Sequence, residues 1–483
     1  MTLTNFAGKA GPLNEGTNRQ HETSDWQRIE REVFLDAAER GARYVESVRS
    51  RRVVPSQADL EGLNSLPMVL PSDPTEEKEI IALLDRFGSP ATVASGGGRY
   101  FGFVTGGTLP AARAAAVLAA AWDQNAGIQV LSPVAAHLEE ISLRWVIDVL
   151  GLPEETGGAL VTGGTMASFA CLAAARHHLL AKVGWNVEED GLFGAPAFSV
   201  YVSENAHASV LKSLSLLGLG RRRVKTLKTD QQGRILVDQL PKLEPHSIVC
   251  IQIGDVNTGA CDYAATLCSW AHAGGAWVHV DGAFGLWAAA SPRFRSLTSG
   301  MELADSWATD AHKWLNSPYD CGFALVRHAN ALRSAMSLQA AYLKQSNALR
   351  DPSHWNPELS RRARGVEVWA ALLSLGRSGI ADLVERTCGY ARAFATGLAN
   401  AGFEILNEPV LNQVLVSFGT DEQTESIVAA LQKDGTCWCG TTMWKGRRAM
   451  RISVSSWTTT SEDVTRSIAV MARLAHCHLR NAN

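Results

Sequence analysis

Two runs decide the fold of this chain: Ala276-Trp-Val-His-Val-Asp281 and Ala304-Asp-Ser-Trp-Ala-Thr-Asp-Ala-His-Lys-Trp-Leu-Asn316. The first has the composition of a strand buried on both faces, and the second begins as another strand. Further apolar runs alternate with helical patterns, which predicts an α/β fold with a mostly parallel sheet covered on both faces. The runs are Ala159–Thr162, Phe198–Val202, Arg223–Leu227, Ile248–Ile253, Trp277–Val280 and Cys321–Val326.

The polar residues that end the two quoted runs suggest a cofactor site. Lys313 follows Asp281 by 32 residues (313 − 281), and His312 and Trp314 flank the lysine. A lysine amine can hold pyridoxal phosphate as a Schiff base, and an aspartate can keep the pyridine nitrogen protonated so that the ring accepts electrons. A lone lysine is more often a solvated surface charge. The apolar context and the aspartate favour the pyridoxal phosphate interpretation here.

The period of the apolar residues predicts three segments. Residues 1–90 form a helical segment too thin to hold a core of its own, so it must pack on another surface such as a second subunit. Residues 91–375 form the large α/β domain that binds the cofactor. Residues 376–483 form a small α+β domain with strands at 413–418 and 450–454.

Composition excludes several classes of protein. The net charge of −3 gives no reason to expect nucleic acid or a membrane surface as a partner, and no apolar run reaches membrane-spanning length. The N-terminus lacks the apolar stretch of a secretory signal, and nine scattered cysteines suit a reducing cytoplasm. Cys437 and Cys439 have no partner pair at zinc spacing, so no metal is expected.

A glycine pair marks a candidate phosphate site. Val161-Thr-Gly-Gly-Thr-Met-Ala-Ser168 follows one strand and leads into a helix predicted over 169–180. Backbone N–H groups and the helix dipole favour an anion there, with Gly164, Thr165 and Ser168 as candidate ligands. Ordinary turn and capping chemistry explains a glycine pair equally well.

Two further residues have open alternatives. His207 follows a strand, where α/β sheets bind ligands, so its ring could stack on a pyridine ring or simply cap the next helix. Arg451 lies in an alternating strand and could clamp a carboxylate or form an internal ion pair. For the cluster Arg361-Arg-Ala-Arg364, structural ion pairs are expected.

Taken together, His207, Val280-Asp-Gly-Ala283 and His312-Lys-Trp314 resemble the group II pyridoxal phosphate-dependent decarboxylases, which include the aromatic L-amino acid and glutamate decarboxylases. The resemblance runs from about residue 90 to 460. It implies the type I aminotransferase fold, pyridoxal 5'-phosphate as cofactor, and a homodimer with active sites between subunits.

The resemblance also implies roles for individual residues. Lys313 is the Schiff-base lysine, Asp281 pairs with the pyridine nitrogen, and His207 stacks over the ring. Arg451 stands where glutamate decarboxylase-like members hold the α-carboxylate. Ala283 packs under the ring, and His312 lies beside the lysine near the substrate. The remaining candidates around the cofactor are Gly164, Thr165, Ser168, Asp255 and Asp310.

One departure from the family concerns the fate of the substrate carbanion. Family members use a tyrosine on a mobile loop to protonate it, and the matching segment here, 342–355, is shorter and has Pro352 or Ser353 at that position. His354 or Tyr342 are the candidate replacements, and Asp255 also comes into consideration.

The sequence therefore predicts a decarboxylase of an L-amino acid. The alternative is another fate of the carbanion: oxidative deamination to an aldehyde, carbon–carbon bond formation, or transamination. A non-catalytic relative is the third hypothesis, which the intact lysine, aspartate and histidine disfavour. Phe101 and Phe103, beside Tyr100, resemble the family's substrate-lining aromatic segment, although aromatic residues that simply fill a core explain them equally well.

Overall fold

The structure, a computed structural model, describes residues 23–337 and 350–481. The chain divides into two compact units. Unit 1 comprises Met1–Arg51 and Pro55–Thr92, and unit 2 comprises Arg52–Val54 and Val93–Asn483.

Unit 1 is helical in its described part. Ser56 caps α2 through a capping box, because its hydroxyl accepts from the Asp59 N–H while the Asp59 carboxylate accepts from the Ser56 N–H. Unit 1 leaves large apolar side chains exposed, including Trp26 and Leu35 on α1 and Met68 in a loop. The helices are α1 (Thr23–Ser47), α2 (Gln57–Gly62), α3 (Glu77–Leu83) and α4 (Ser89–Ala91), with a π-helical turn at Leu84–Gly88 before α4.

Unit 2 is built on a seven-stranded sheet of order β1-β7-β6-β5-β4-β2-β3. The pairs from β6 to β3 are parallel, and β7 runs antiparallel to both of its neighbours. This confirms the predicted α/β fold with a mostly parallel sheet. The strands are β1 (Gly157–Val161), β2 (Ser199–Ser203), β3 (Lys225–Leu227), β4 (Ser247–Gln252), β5 (Trp277–Asp281), β6 (Ser306–Asp310) and β7 (Gly322–Val326).

Helices cover both faces of this sheet, so its central strands are continuous apolar runs. One core packs α6, α10 and α12 against the sheet, and the other packs α7, α9 and α11. The helices of this part are α5 (Pro110–Trp122), α6 (Pro133–Val149), α7 (Gly164–Ala181), α8 (Val187–Asp190), α9 (Ala208–Leu216), α10 (Ala264–Ala273), α11 (Ala329–Met336) and α12 (Arg364–Asn400).

A second sheet of order β10-β11-β9-β8 lies in the C-terminal part of unit 2, with its own core. The helix α12 runs across the predicted boundary at 375/376 and is interrupted at Gly376 (φ 59°), so that boundary stays a prediction. The elements are β8 (Glu404–Ile405), β9 (Gln413–Ser417), α13 (Asp421–Asp434), β10 (Gly440–Trp444), β11 (Arg447–Ser453) and α14 (Ser461–Asn481).

Within the described residues, no helix combines the length and the apolar character that a membrane crossing requires.

Candidate active site

The carboxyl ends of β5 and β6 bring Asp281, Asp310 and Lys313 to one edge of the large sheet. The two strand ends are joined by a hydrogen bond from the Asp310 N–H to the Ala283 carbonyl (2.8 Å). The Lys313 Nζ lies 2.8 Å from the Asp310 Oδ2, and the Asp310 side chain is buried. The ammonium group is therefore held in place by one carboxylate, while the second carboxylate stays available.

Asp281 is that second carboxylate. It is 6% exposed, and its Oδ1 accepts one backbone hydrogen bond, from the Ala283 N–H at 3.3 Å. Burial raises the pKa of Asp281, and the nearby His207 and Lys313 oppose that rise. A buried carboxylate of this kind is stabilised by a cation placed against it, which is what a protonated pyridine nitrogen provides. Asp281 therefore fits the cofactor.

His207 both caps a helix and lies beside Asp281. Its Nδ1 accepts from the Ser209 N–H (3.2 Å) at the start of α9, so the capping alternative is observed. The surrounding protein atoms lower the pKa of His207, while the Asp281 carboxylate raises it. The ring is therefore fixed by its Nδ1 and within electrostatic reach of the candidate cofactor partner.

The glycine turn lies at the same edge of the sheet. The helix α7 begins at Gly164, not at the predicted Phe169, because its first turn is formed by the small residues after the strand. Gly163 has φ 149°, and a Cβ there would meet the His312 ring at 3.0 Å. The Gly164 N–H donates to the Asp310 Oδ1 (2.5 Å). The turn thus lies directly against the lysine loop.

The two hydroxyl residues of the predicted phosphate site differ. The Thr165 carbonyl accepts from the Ser213 hydroxyl (2.8 Å), which ties α7 to α9. Ser168 is fully buried, and its Oγ has no partner among the described residues. A helix N-terminus beside a buried hydroxyl fits an anionic group such as a phosphate. The roles of Gly164, Thr165 and Ser168 stay predictions.

His312 is held by contacts on both ring nitrogens. Its Nδ1 accepts from the Cys321 N–H (3.1 Å), and its Nε2 lies 3.7 Å from the Asp310 Oδ1. Burial lowers the pKa of His312, so the ring is neutral, with its proton on Nε2. One ring face stacks on Tyr319 at a centroid distance of 4.4 Å.

Arg451 and Asp255 are brought near each other and near His207. Burial lowers the pKa of Arg451, and Asp255 acts in the opposite direction. The Arg451 guanidinium has no carboxylate within 4.0 Å in the described part of the chain. The Asp255 Oδ1 accepts from the N–H groups of Asn257 (2.8 Å) and Thr258 (3.0 Å). Asp255 thus holds its own turn, and Arg451 is available to a substrate carboxylate.

The two phenylalanines of the aromatic segment differ in their exposure to solvent. Phe101 is 1% exposed and packs edge-on against Phe394 in the core of the small sheet, so the core-filling interpretation holds for Phe101, and its predicted substrate contact is corrected. Phe103 is 67% exposed and stacks on Trp438, as does Tyr100. Phe103 therefore keeps its place as a candidate substrate residue.

The segment expected to supply an acid is described in part. Tyr342 lies outside the described residues. Pro352 and Ser353 are buried, and the Ser353 N–H donates to the Gly127 carbonyl (2.8 Å). His354 ends a short 3₁₀ turn, and its N–H donates to the Asp351 carbonyl (3.2 Å). The catalytic roles of Tyr342 and His354 stay predictions.

Two residues at the site were missed from the sequence. Tyr319 follows Lys313 by six positions (319 − 313) and returns to His312 because β6 and β7 are antiparallel neighbours. Asn316 is fully buried, and its Oδ1 accepts from the N–H groups of Gly107 (2.6 Å) and Trp457 (2.9 Å). The sequence signal that could have pointed to both residues is the short loop after Lys313, which contains a proline and polar residues.

The arginine cluster is structural, as expected from the sequence. The Arg361 Nη2 lies 2.8 Å from the Glu139 Oε2, and both side chains are buried. The Arg364 Nε donates to the Asp320 Oδ1 (3.0 Å).

The chain is similar in sequence and in fold to several known proteins. A histidine decarboxylase of Drosophila melanogaster is 27% identical over 473 residues, covering 92% of this chain and 54%, about half, of the fly protein. A phenylacetaldehyde synthase of Arabidopsis thaliana is 27% identical over 357 residues, covering 68% of this chain and 71% of the plant protein. The crystal structure of Oryza sativa TDC with PLP and tryptamine has a TM-score of 0.85 at 21% identity, covering 95% of this chain and 99% of the other.

The family description matched by the chain is "Pyridoxal-dependent decarboxylase conserved domain", over residues 64–420. That range contains the glycine turn, His207, Asp281 and Lys313. The chain therefore belongs to the pyridoxal phosphate-dependent decarboxylase family, whose cofactor it shares.

Proposed function

We propose that this protein decarboxylates an L-amino acid and releases the amine. The observation that carries the proposal is the arrangement at the edge of the sheet. A lysine amine paired with Asp310 lies beside a second buried carboxylate, Asp281, with Arg451 close to His207. The relatives reported above support the decarboxylation.

Each residue of the site would have a separate role in catalysis. Pyridoxal phosphate, when bound, supplies an electron sink for the bond that breaks. Lys313 would hold the cofactor through its Nζ, and Asp281 would keep a proton on the pyridine nitrogen. The first turn of α7 would hold the phosphate through backbone N–H groups other than that of Gly164, which donates to Asp310. Arg451 would orient the substrate's α-carboxylate by a charge-assisted hydrogen bond.

The substrate class follows from the aromatic residues. Tyr100 and Phe103 stack on Trp438, and this segment contacts the lysine loop, since a Cβ on Gly106 would collide with the Lys313 carbonyl. Phe103 is largely exposed, so its ring can contact a ligand. We therefore favour an aromatic or apolar amino acid.

A second outcome has a specific observation in its favour. Pro352 and Ser353 occupy the position at which the family loop tyrosine is expected, and neither side chain is an acid that protonates carbon. Without a proton donor, oxygen can react instead. One O2 and one water would then be consumed for each aldehyde, ammonia, hydrogen peroxide and carbon dioxide formed.

A product screen tests both outcomes. The protein is reconstituted with pyridoxal phosphate and incubated with each of the twenty amino acids, and carbon dioxide, amine, aldehyde and peroxide are measured. We expect carbon dioxide and amine in equal amounts from at least one substrate. Aldehyde and peroxide in place of amine would favour the second outcome. Absence of carbon dioxide from every amino acid, with cofactor bound, would contradict the proposal.

We also propose a cytoplasmic homodimer with its active site at the interface. Unit 2 exposes several apolar side chains on and after α5, which is unusual for a free surface: Val117, Leu118, Trp122, Val130 and Leu131. All nine cysteines are free thiols, which suits a reducing compartment. Light scattering should give twice the 52.0 kDa chain mass; a single-chain mass with cofactor bound would contradict the dimer.

A further inference from the structure

Tyr319 lies at the edge of the site, on the loop that joins β6 to β7. Its ring stacks on the His312 ring at a centroid distance of 4.4 Å and an interplanar angle of 28°. The residue is 57% exposed, so a substrate or a water molecule can reach its side chain. Neither the family resemblance nor the loop at 342–355 accounts for this phenol.

The loop that carries Tyr319 is fixed by two arginines at the start of α12. The Arg364 Nε donates to the Asp320 carbonyl (3.1 Å) and to its Oδ1 (3.0 Å). The Arg362 Nη2 donates to the Tyr319 carbonyl (3.3 Å). The phenol therefore stays in place and does not depend on closure of a loop.

Two charged residues of the site act on the phenol. Tyr319 is within electrostatic reach of Lys313 and Asp310, and its hydroxyl is hydrogen-bonded to Thr105. Desolvation raises the pKa of Tyr319 above its usual value of about 10, so the hydroxyl keeps its proton at neutral pH. The Thr105 hydroxyl can donate to the phenolate that remains after the proton has left.

The other candidates near Lys313 are less suited to donate a proton. The His312 Nδ1 is occupied by the Cys321 N–H, and its Nε2 faces Asp310. Lys313 is paired with Asp310 at 2.8 Å and is the residue expected to hold the cofactor. Among the described residues, Tyr319 is therefore a neutral O–H donor whose side chain is open toward solvent.

We propose that Tyr319 is a catalytic acid that protonates the substrate carbon after carbon dioxide has left, an inference that rests on the proposed function. The electron pair of the broken carbon–carbon bond forms a C–H bond with the phenol proton. The Oη–H bond breaks, and the resulting phenolate regains a proton from water. The protein's own fixed loop would thus replace the family's loop tyrosine and make the amine the product.

The test compares Tyr319→Phe with Tyr263→Phe, a matched control in which an exposed tyrosine distant in sequence loses the same atom. The holoenzyme is assayed with the amino acid that gives the most carbon dioxide. We expect Tyr319→Phe to lower amine formation by roughly 10²-fold, the usual lower range for a general acid. Carbon dioxide release should fall much less, with aldehyde and peroxide making up the difference. Tyr263→Phe should match the wild type.

A binding measurement separates an acid from a residue that only holds the cofactor. The dissociation constant of pyridoxal phosphate, followed by fluorescence quenching, should be the same in Tyr319→Phe and the wild type within about threefold. A loss of affinity beyond tenfold would overturn the acid role, and so would an unchanged ratio of amine to carbon dioxide. If the wild type releases no carbon dioxide from any amino acid, the proposed function fails instead.

Discussion

Each of two opposite edges of the large sheet, one at the carboxyl ends of β5 and β6 and one at their amino ends, holds a buried aspartate near a histidine. The two aspartates differ in how many hydrogen bonds their carboxylates accept. At the carboxyl edge, Asp281 is buried with one backbone hydrogen bond to its carboxylate. At the other edge, Asp305 precedes β6, and its Oδ2 accepts from the His272 Nε2 (3.0 Å) and the Val278 N–H (2.8 Å). His328 lies 3.9 Å from its Oδ1.

This difference in hydrogen bonding separates a carboxylate that stabilises the fold from one that can bind a ligand. Asp305 already has histidine and backbone partners, so it stabilises the chain as it stands. Asp281 lacks a cation in direct contact among the described residues, and burial raises its pKa. An aspartate close to a histidine therefore does not by itself identify a cofactor site. The incomplete hydrogen bonding of the Asp281 carboxylate does.

The largest expected effect is that of Lys313→Ala. No other described amine lies beside Asp281, so activity should fall to the detection limit. Carbon dioxide release by the reconstituted protein measures this. The control is Lys242→Ala, which removes an exposed lysine and should keep the wild-type rate. Substantial turnover in Lys313→Ala would move the cofactor lysine elsewhere.

Asp281→Asn should separate activity from stability. An amide cannot keep the pyridine nitrogen protonated, so kcat should fall roughly 10²–10³-fold, the size expected when one preorganised electrostatic contact is lost. The free energy of unfolding without cofactor should stay the same or rise, because the substitution removes a buried carboxylate that lacks a counterion. A near-normal kcat in Asp281→Asn would contradict the assignment of Asp281 as the carboxylate that serves the cofactor.

Asp305→Asn should show the reverse pattern. Losing charge-assisted hydrogen bonds should lower the free energy of unfolding by about 1–3 kcal/mol, while kcat per folded molecule stays unchanged. Urea denaturation and an assay at matched cofactor occupancy measure the two quantities. If Asp305→Asn reduced kcat as much as Asp281→Asn does, the two edges would not differ in function.

The last expected effect appears only at acidic pH. Burial, with Lys182 and His328, lowers the pKa of His178 at the second edge from 6.5 to about 4. The unfolded chain therefore takes up a proton that the folded chain refuses, and stability falls as pH drops from 6.5 to about 4. His178→Phe should reduce that loss by at most about 3 kcal/mol, at 1.36 kcal/mol per pH unit. An unchanged pH dependence of denaturation would exclude His178 as its source.

Much of the fold was predictable because burial on both faces leaves a continuous apolar run. That is why β2, β4, β5 and β7 were found from the sequence. The strand β8 has two residues, and β10 alternates partly exposed positions at the edge of a sheet, so neither produces such a run. The early start of α7 was missed because glycines are weak helix formers and were interpreted as a turn.

The candidate site was predictable only where residues end strands. Asp281 ends β5, Lys313 and His207 follow β6 and β2 within four residues, and the structure brings the three together. Tyr319 was missed because its approach to His312 depends on the antiparallel pairing of β6 with β7, which local sequence does not encode. Phe101 and Phe103 are two positions apart, and backbone turning (φ 54° at Phe103) sends them to different environments.

Labelling of the cofactor lysine tests most directly whether this end of the sheet is the active site. The reconstituted protein is reduced with borohydride and digested, and the peptides are weighed by mass spectrometry. We expect the peptide containing Lys313 to carry the pyridoxyl group in stoichiometric amount. A pyridoxyl group on another lysine, with the Lys313 peptide unmodified, would contradict the assignment of this edge of the sheet as the active site.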